Sequence, residues 1–325
     1  MNVNLQTAIK VQLVQRYFME RYNPDGGFTL VPPLASSIED TFYALYSLSV
    51  VGFNGISLDK TLSFLLNYPI SSIRVAYFAL KTLKLLAKHL FDYDINVTEF
   101  THKLLNTAVV HVDGSISMTT RGARDWKGSS QIILEHKSVE FEEVEKDLPF
   151  KSIDLERLTL FEMPTKLEEI YQQIFVLKAF KFPFKREKFV DKILSYKSKE
   201  GGFGSRNNPN IEETHYAILA LKELDYPNSK LQDTVVWLRR CENPDGSFRI
   251  NPHTIIEASL DYIYYGVRAL LALGEVPNYK RKIINIVKHF QNGNGGFRRY
   301  IRFGVSKPEY TFQSLFIVHT LIKLV

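Results

Sequence analysis

The sequence predicts an all-α fold, an array of about six helical hairpins within one domain spanning residues 1–325. Three observations predict it. The phrase Asn23-Pro24-Asp25-Gly26-Gly27-Phe28 returns as Glu200-Gly201-Gly202-Phe203, Asn243-Pro244-Asp245-Gly246-Ser247-Phe248 and Gly293-Asn294-Gly295-Gly296-Phe297, with a faded copy at Asp113-Gly114-Ser115-Ile116. The last three full copies lie 45 and 49 residues apart, Phe to Phe. A period of that size marks a repeated supersecondary unit that buries its apolar face only against its neighbours. Each copy is flanked by stretches with the 3.6-residue apolar period of an amphipathic helix.

The outer helices are expected at about residues 5–22, 57–66, 97–110, 186–196, 231–241 and 280–290, ahead of each turn. The inner helices follow at about 37–50, 73–90, 166–180, 211–224, 255–273 and 307–324. Five inner helices carry a capping-box signature at their start: Ser36-x-x-Glu39, Thr165-x-x-Glu168, Asn210-x-x-Glu213, Thr254-x-x-Glu257 and Ser306-x-x-Glu309. In such a box the first side chain accepts a backbone N–H while the Glu reaches back to another. The second unit, Ser71-Ser72-Ile73-Arg74, lacks both the Glu and a Gly-rich turn and is degenerate. The Gly of each turn supplies the positive φ that ends the preceding outer helix. Thr119–Pro164 interrupts the third unit as an insertion, basic at its start and acidic over Glu140–Asp147.

Composition narrows the function. A net charge of +6, from 41 basic and 35 acidic residues, is mild for this size, and no nucleic-acid motif accompanies it. The single cysteine, Cys241, excludes an internal disulfide framework, and no apolar run reaches the roughly 20 residues of a membrane span. With no secretory leader pattern over residues 1–22, a cytoplasmic location is expected.

The Gly-Gly-Phe turns, each followed by a variable loop and a helix such as Ile211-Glu212-Glu213-Thr214-His215-Tyr216-Ala217-Ile218-Leu219, resemble the prenyltransferase and squalene-cyclase repeat. The resemblance implies an α/α toroid, with inner helices around a central cavity and outer helices around them. Spacing alone would also fit an open helical solenoid. The resemblance further implies an isoprenoid or prenyl diphosphate as ligand, and it suggests a helical α-subunit-like protein as partner. The early turns of the inner helices are rich in aromatics, among them Tyr43, Tyr77, Tyr171, Tyr216 and Phe312, which could line such a cavity or plug it.

The family's protein prenyltransferases hold zinc with an Asp, a Cys two residues later and a His in the next repeat. Asp261 matches the first and is the candidate catalytic residue. Ile263 stands at the Cys position, and no His lies within residues 309–312. Two of three ligands are absent, so no metal or cofactor is expected. Tyr264 matches a diphosphate-contacting Tyr. Arg249 and His253, in the preceding loop, are loose equivalents of the family's basic contacts. His215 and Tyr310 complete the candidate substrate-binding set, and any anionic head is expected near the inner-helix N-termini. No Asp-x-Asp-Asp string of a protonating cyclase is present. Three functions stay open: a prenyltransferase-like toroid that binds an isoprenoid without zinc, a non-catalytic scaffold, and a terpenoid cyclase with a non-standard acid. If the chain is an enzyme, the first implies a transferase.

Overall fold

The computed structural model describes residues 4–69, 72–90, 108–110, 116–118, 164–179, 184–255 and 257–325. The described helices alternate between two concentric layers. Outer helices are α1 (Leu5–Ala8) and α2 (Val11–Met19), α4 (Leu58–Asn67), α7 (Arg186–Leu194), α9 (Gln232–Cys241) and α11 (Lys280–Lys288). Inner helices are α3 (Ile38–Val51), α5 (Ile73–Leu90), α6 (Leu167–Ala179), α8 (Ile211–Glu223), α10 (Leu260–Ala272) and α12 (Pro308–Ile322). Each inner helix packs on the next, and α12 packs back on α3, so the ring closes into an α/α toroid rather than an open solenoid. The outer layer closes too. The α1 helix lies against α11 and α12, and the Lys10 N–H donates to Gln291 Oε1 at 3.0 Å.

The repeated turn has one conformation in four places. The Asn23 N–H donates to the Gly27 carbonyl and the Gly26 N–H returns to the Asn23 carbonyl, and the same pair of bonds recurs at Ser198–Gly202, Asn243–Ser247 and Asn292–Gly296. Asp25, Asp245 and Asn294 each brace the turn by accepting a backbone N–H two residues on. The Phe that ends each phrase, Phe28, Phe203, Phe248 or Phe297, is buried between the layers. In three repeats its N–H donates to a threonine one turn into the following inner helix: Thr41, Thr214 and Thr311, at 2.9, 2.9 and 3.1 Å. The phrase is thus a bracket between its own outer and inner helices.

Several local expectations are corrected. The first outer helix is broken at Ile9-Lys10 into α1 and α2. The tenth helix begins at Leu260, five residues later than the sequence suggests, because Thr254-x-x-Glu257 opens no helix. Of the five capping boxes, only Asn210 caps as expected, accepting the Glu213 N–H at 2.9 Å. Helix α3 is capped by Ser37, one residue later, while Ser36 donates to Asp25 in the Gly-rich turn. Ser306 likewise donates to Asn294. Hydroxyls that read as caps are therefore turn braces, which moves their glutamates one position nearer the helix start. Residues 97–107 of the outer helix expected at 97–110 lie outside the described residues, and Ala108–Val110 form a strand paired antiparallel with Ile116–Met118. The insertion also lies outside them, apart from Pro164.

Candidate active site

Closure stacks equivalent positions of the inner helices into three tiers. The second residue of each inner helix is Glu39, Arg74, Glu168, Glu212, Asp261 or Glu309, in ring order. Carboxylates suit this position because the first-turn N–H groups and the helix dipole favour negative charge. The degenerate second unit contributes the one cation. Arg74 pairs with Glu39 at 2.6 Å and with Glu168 at 3.1 Å, tying the acids on either side of it. Asp261 is paired with Arg299 at 2.6 Å, and the Tyr265 hydroxyl donates to Glu212 at 3.3 Å. Glu309 has no hydrogen bond or ion pair among the described residues. Burial, then the nearby Asp261 charge, raises its carboxyl to about 7.

One turn deeper stand Phe42, Tyr77, Tyr171, His215, Tyr264 and Phe312. Phe312 packs among the rings of its two neighbouring inner helices. Its ring centroid lies 5.5 Å from Phe42, 5.2 Å from Tyr43, 4.8 Å from Tyr46 and 5.7 Å from Tyr264. Tyr77 and Tyr171 meet edge to face at 5.6 Å. These spacings are those of favourable aromatic pairs. The rings leave about 70 Å³ of free space in the bore. That is room for a few water molecules, well below the roughly 300–1,000 Å³ of small-molecule pockets.

A further turn down the equivalent positions are Tyr46, Lys81, Phe175, Leu219, Arg268 and Phe316. Both cations of this tier line the bore. Arg268 Nη1 donates to the Tyr264 hydroxyl at 2.7 Å. The Lys81 ammonium stands 5.5–5.7 Å from the faces of Phe42, Tyr77 and Phe175.

The candidate residues distribute unevenly over this frame. Tyr264 lines the bore, whereas Asp261, the second residue of α10, is buried and is not among the lining residues. Tyr310 lies beside the collar, its phenol raised to about 12 by burial and then by the charges of Asp261 and Glu309. His215 is buried between Tyr216, Tyr264 and Tyr265, with neither ring nitrogen hydrogen-bonded. Burial, with Arg268 and Lys81 nearby, holds its pKa well below the usual imidazole range, so it is neutral. His215→Phe, which removes two unsatisfied polar atoms at similar shape, is expected to stabilise the protein by about 1–2 kcal/mol. A urea titration of the variant measures this, and a loss of stability would show that the imidazole has a partner in solution. Arg249 and His253 are outside the bore. Arg249 donates to Asn243 at 2.8 Å, and His253 faces solvent with Nε2 2.9 Å from Glu200.

Sequence reasoning missed Glu309, Arg74, Lys81 and Arg268. Their signal is columnar: aligned at their true starts, the six inner helices show a charged second position and two cations at the ninth. Reading the boxes one residue early displaced those columns.

Among the described residues no group of three His, Cys, Asp or Glu side chains is placed to hold a metal ion, and no helix is long and apolar enough to cross a membrane. Ile263, beside Asp261, is fully buried away from the bore. It occupies the fourth helical position, where α3, α8 and α12 place their phenylalanine-bracing threonines.

Concentric helical layers, bracketed by Gly-rich turns around an aromatic bore, define an α/α toroid. The chain belongs to the prenyltransferase alpha-alpha toroid domain family, which it matches over residues 2–134, 170–297 and 253–324. Among solved structures it is similar to the Candida albicans protein geranylgeranyltransferase-I complexed with GGPP, at 15% identity and a TM-score of 0.58, covering 94% of this chain and 89% of that one. It is also similar to a type II terpene cyclase variant from Scytonema in complex with merosterolic acid A, at 12% identity and a TM-score of 0.51, covering 98% and 99%. At these identities the likeness shows the fold alone. No curated protein matches the sequence.

Proposed function

We propose that the protein is a prenyltransferase-like toroid that binds an isoprenoid in its bore without zinc. The observation that carries this reading is the layering of the bore. Aromatic faces suited to an apolar chain lie between two polar tiers, so a ligand with one charged end would have complementary surroundings along its length. Burying a prenyl chain there contributes about 0.8 kcal/mol per CH₂ before ordering costs. Zinc independence is supported by the engagement of Asp261 with Arg299 and by the position of Ile263 in the core.

The free space of about 70 Å³ requires aromatic rings of the bore, Phe312 among them, to turn aside before a long chain enters. Phe312→Ala is therefore expected to raise the affinity for geranylgeranyl diphosphate at least tenfold. The test is thermal shift and calorimetry with farnesyl and geranylgeranyl diphosphate at about 0.1 mM, on protein stripped of metal. A micromolar ligand at that level stabilises by roughly 2.7 kcal/mol. If neither the native protein nor Phe312→Ala binds either compound, the isoprenoid reading fails.

The narrow bore favours a second reading, a scaffold that pairs with a helical partner. A cyclase with a non-standard acid finds support in Glu309, the carboxyl that lines the bore without a partner. A carboxyl raised to about 7 is, however, a weak donor for protonating an alkene, which places this reading last.

A further inference from the structure

The collar and the lower tier carry opposite charge, and their order along the bore bears on how a ligand is oriented. Five of the six collar positions are acidic, and the sixth, Arg74, is already engaged by Glu39 and Glu168. Of these acids Glu168 and Glu309 line the bore, so an anionic head at the inner-helix N-termini would meet carboxylates there. Seven residues along the helices, about 10 Å deeper at 1.5 Å per residue, the situation is reversed. Among the described residues neither Lys81 nor Arg268 has a carboxylate at ion-pair distance, although the Glu223 charge acts on Lys81 from farther off, and Lys81 has no hydrogen-bond acceptor. Arg268 spends one N–H on Tyr264. A guanidinium carries five N–H donors, so the others are available. Two like charges in one desolvated space repel each other. After burial itself, the Arg268 charge is the largest influence depressing the Lys81 ammonium, which falls to about 7. Aromatic faces offset part of that cost but supply no hydrogen-bond acceptors.

We propose that Lys81 and Arg268 form an oxoanion-binding floor inside the ring, which holds the phosphate-type head of a ligand about two helical turns below the carboxylate collar. Arg268 supplies a planar fork of donors and Lys81 a point charge, the two kinds of cation that recognise phosphate oxygens. The Tyr264 hydroxyl, accepting from Arg268, fixes the orientation of the guanidinium. The floor rests on the reading that the ring binds a ligand, but it assigns a head group and an orientation that the reading leaves open.

The test compares inorganic pyrophosphate, farnesyl diphosphate and farnesol, by calorimetry, on the native protein and on Lys81→Gln, Arg268→Gln and Arg299→Gln. All variants are first checked for a native circular dichroism spectrum and cooperative melting. The floor predicts that Lys81→Gln weakens farnesyl diphosphate and pyrophosphate binding at least tenfold, that Arg268→Gln does the same, that Arg299→Gln changes either by less than twofold, and that farnesol is insensitive to all three. If Arg268→Gln does not fold, Lys81→Gln decides alone. Binding of pyrophosphate that is lost in Lys81→Gln, with no binding of farnesol and with farnesyl diphosphate bound no more tightly than pyrophosphate, supports the floor and overturns the isoprenoid reading. Farnesyl diphosphate affinity unchanged in a folded Lys81→Gln, or equal to that of farnesol in the native protein, overturns the floor and leaves the isoprenoid reading standing. No binding of any probe overturns both.

Discussion

Gly295→Ala is expected to lower the stability of the protein by roughly 3–5 kcal/mol, enough to open the ring. Two costs add. Gly295 has φ +93°, a conformation that costs a non-glycine residue about 1 kcal/mol or more. A Cβ at this position would also lie 2.0 Å from the carbonyl oxygen of Leu13, on the backbone of α2. Backbone cannot rotate away as a side chain can, so the last turn must withdraw from the first outer helix. That contact, with the Lys10–Gln291 bond, is where the outer layer closes. The same arrangement recurs around the ring: Gly26 against Lys60, Gly201 against Asp233 and Gly246 against Lys282 and Ile283, each with a hypothetical Cβ within 2.6 Å of backbone. Gly274 separates the two costs. It has φ +83° but nothing within 4 Å of its Cβ position, so Gly274→Ala should lose only the conformational part, about 1 kcal/mol. Urea denaturation of the two variants provides the comparison. Equal losses at Gly295 and Gly274 would mean that conformation alone makes these positions glycine, and that the turns do not clamp neighbouring repeats.

This clamp explains why the fold was legible. The repeat phrase encodes a positive φ, a buried Phe and a brace between layers, all of them local requirements visible in the string. The inner-helix pattern was legible for a related reason, since a ring buries one face of each inner helix against its neighbours and another against the outer layer. Closure was not legible from spacing, because the residues that enforce it, Leu13, Lys10 and Gln291, lie at opposite ends of the chain and carry no motif.

The site was less legible. Tyr264 lines the bore, and Asp261 lies buried one turn above it on α10. Arg249 and His253 do not line it, because in the loop before α10 Arg249 turns back to brace its own repeat and His253 faces Glu200 of the preceding one, so proximity in sequence to a helix start is not proximity to the cavity. Glu309 read as a capping glutamate. With Lys307 rather than Ser306 at the N-cap, it is the second helical residue and faces inward. Lys81 and Arg268 belong to no motif and lie one per helix. In a toroid the polar face of an inner helix can point to the centre as well as to solvent, and only the closed ring distinguishes the two.

Glu309→Gln is expected to make the protein more stable at pH 8, with no change at pH 4. Burial and the Asp261 charge raise the folded-state pKa of Glu309 from its ordinary 4.5 to about 7. Below about 4.5 the carboxyl is protonated whether the chain is folded or not, and contributes no pH dependence. Between about 4.5 and 7 the unfolded chain releases this proton while the folded one keeps it, so stability falls as pH rises. Above about 7 the folded protein also ionises, and the deficit is complete. Each tenfold difference in proton affinity is worth about 1.4 kcal/mol, which sets a ceiling of roughly 3 kcal/mol. The carboxyl faces a space that admits water, and that reduces the expected gain to about 1–2 kcal/mol. Glutamine keeps the shape and one acceptor but cannot ionise, so the difference between the two stability curves isolates this one group. Lys81 acts in a separate window. Its folded-state value, lowered from 10.5 to about 7, makes stability rise with pH from about 7 to 10.5, and Glu309→Gln leaves that limb unchanged. A variant-minus-native difference that is flat from pH 4 to 8 would show that Glu309 titrates as an ordinary surface carboxylate. The bore would then hold an ionised acid at its mouth at neutral pH, and the charge separation between collar and floor would be larger still.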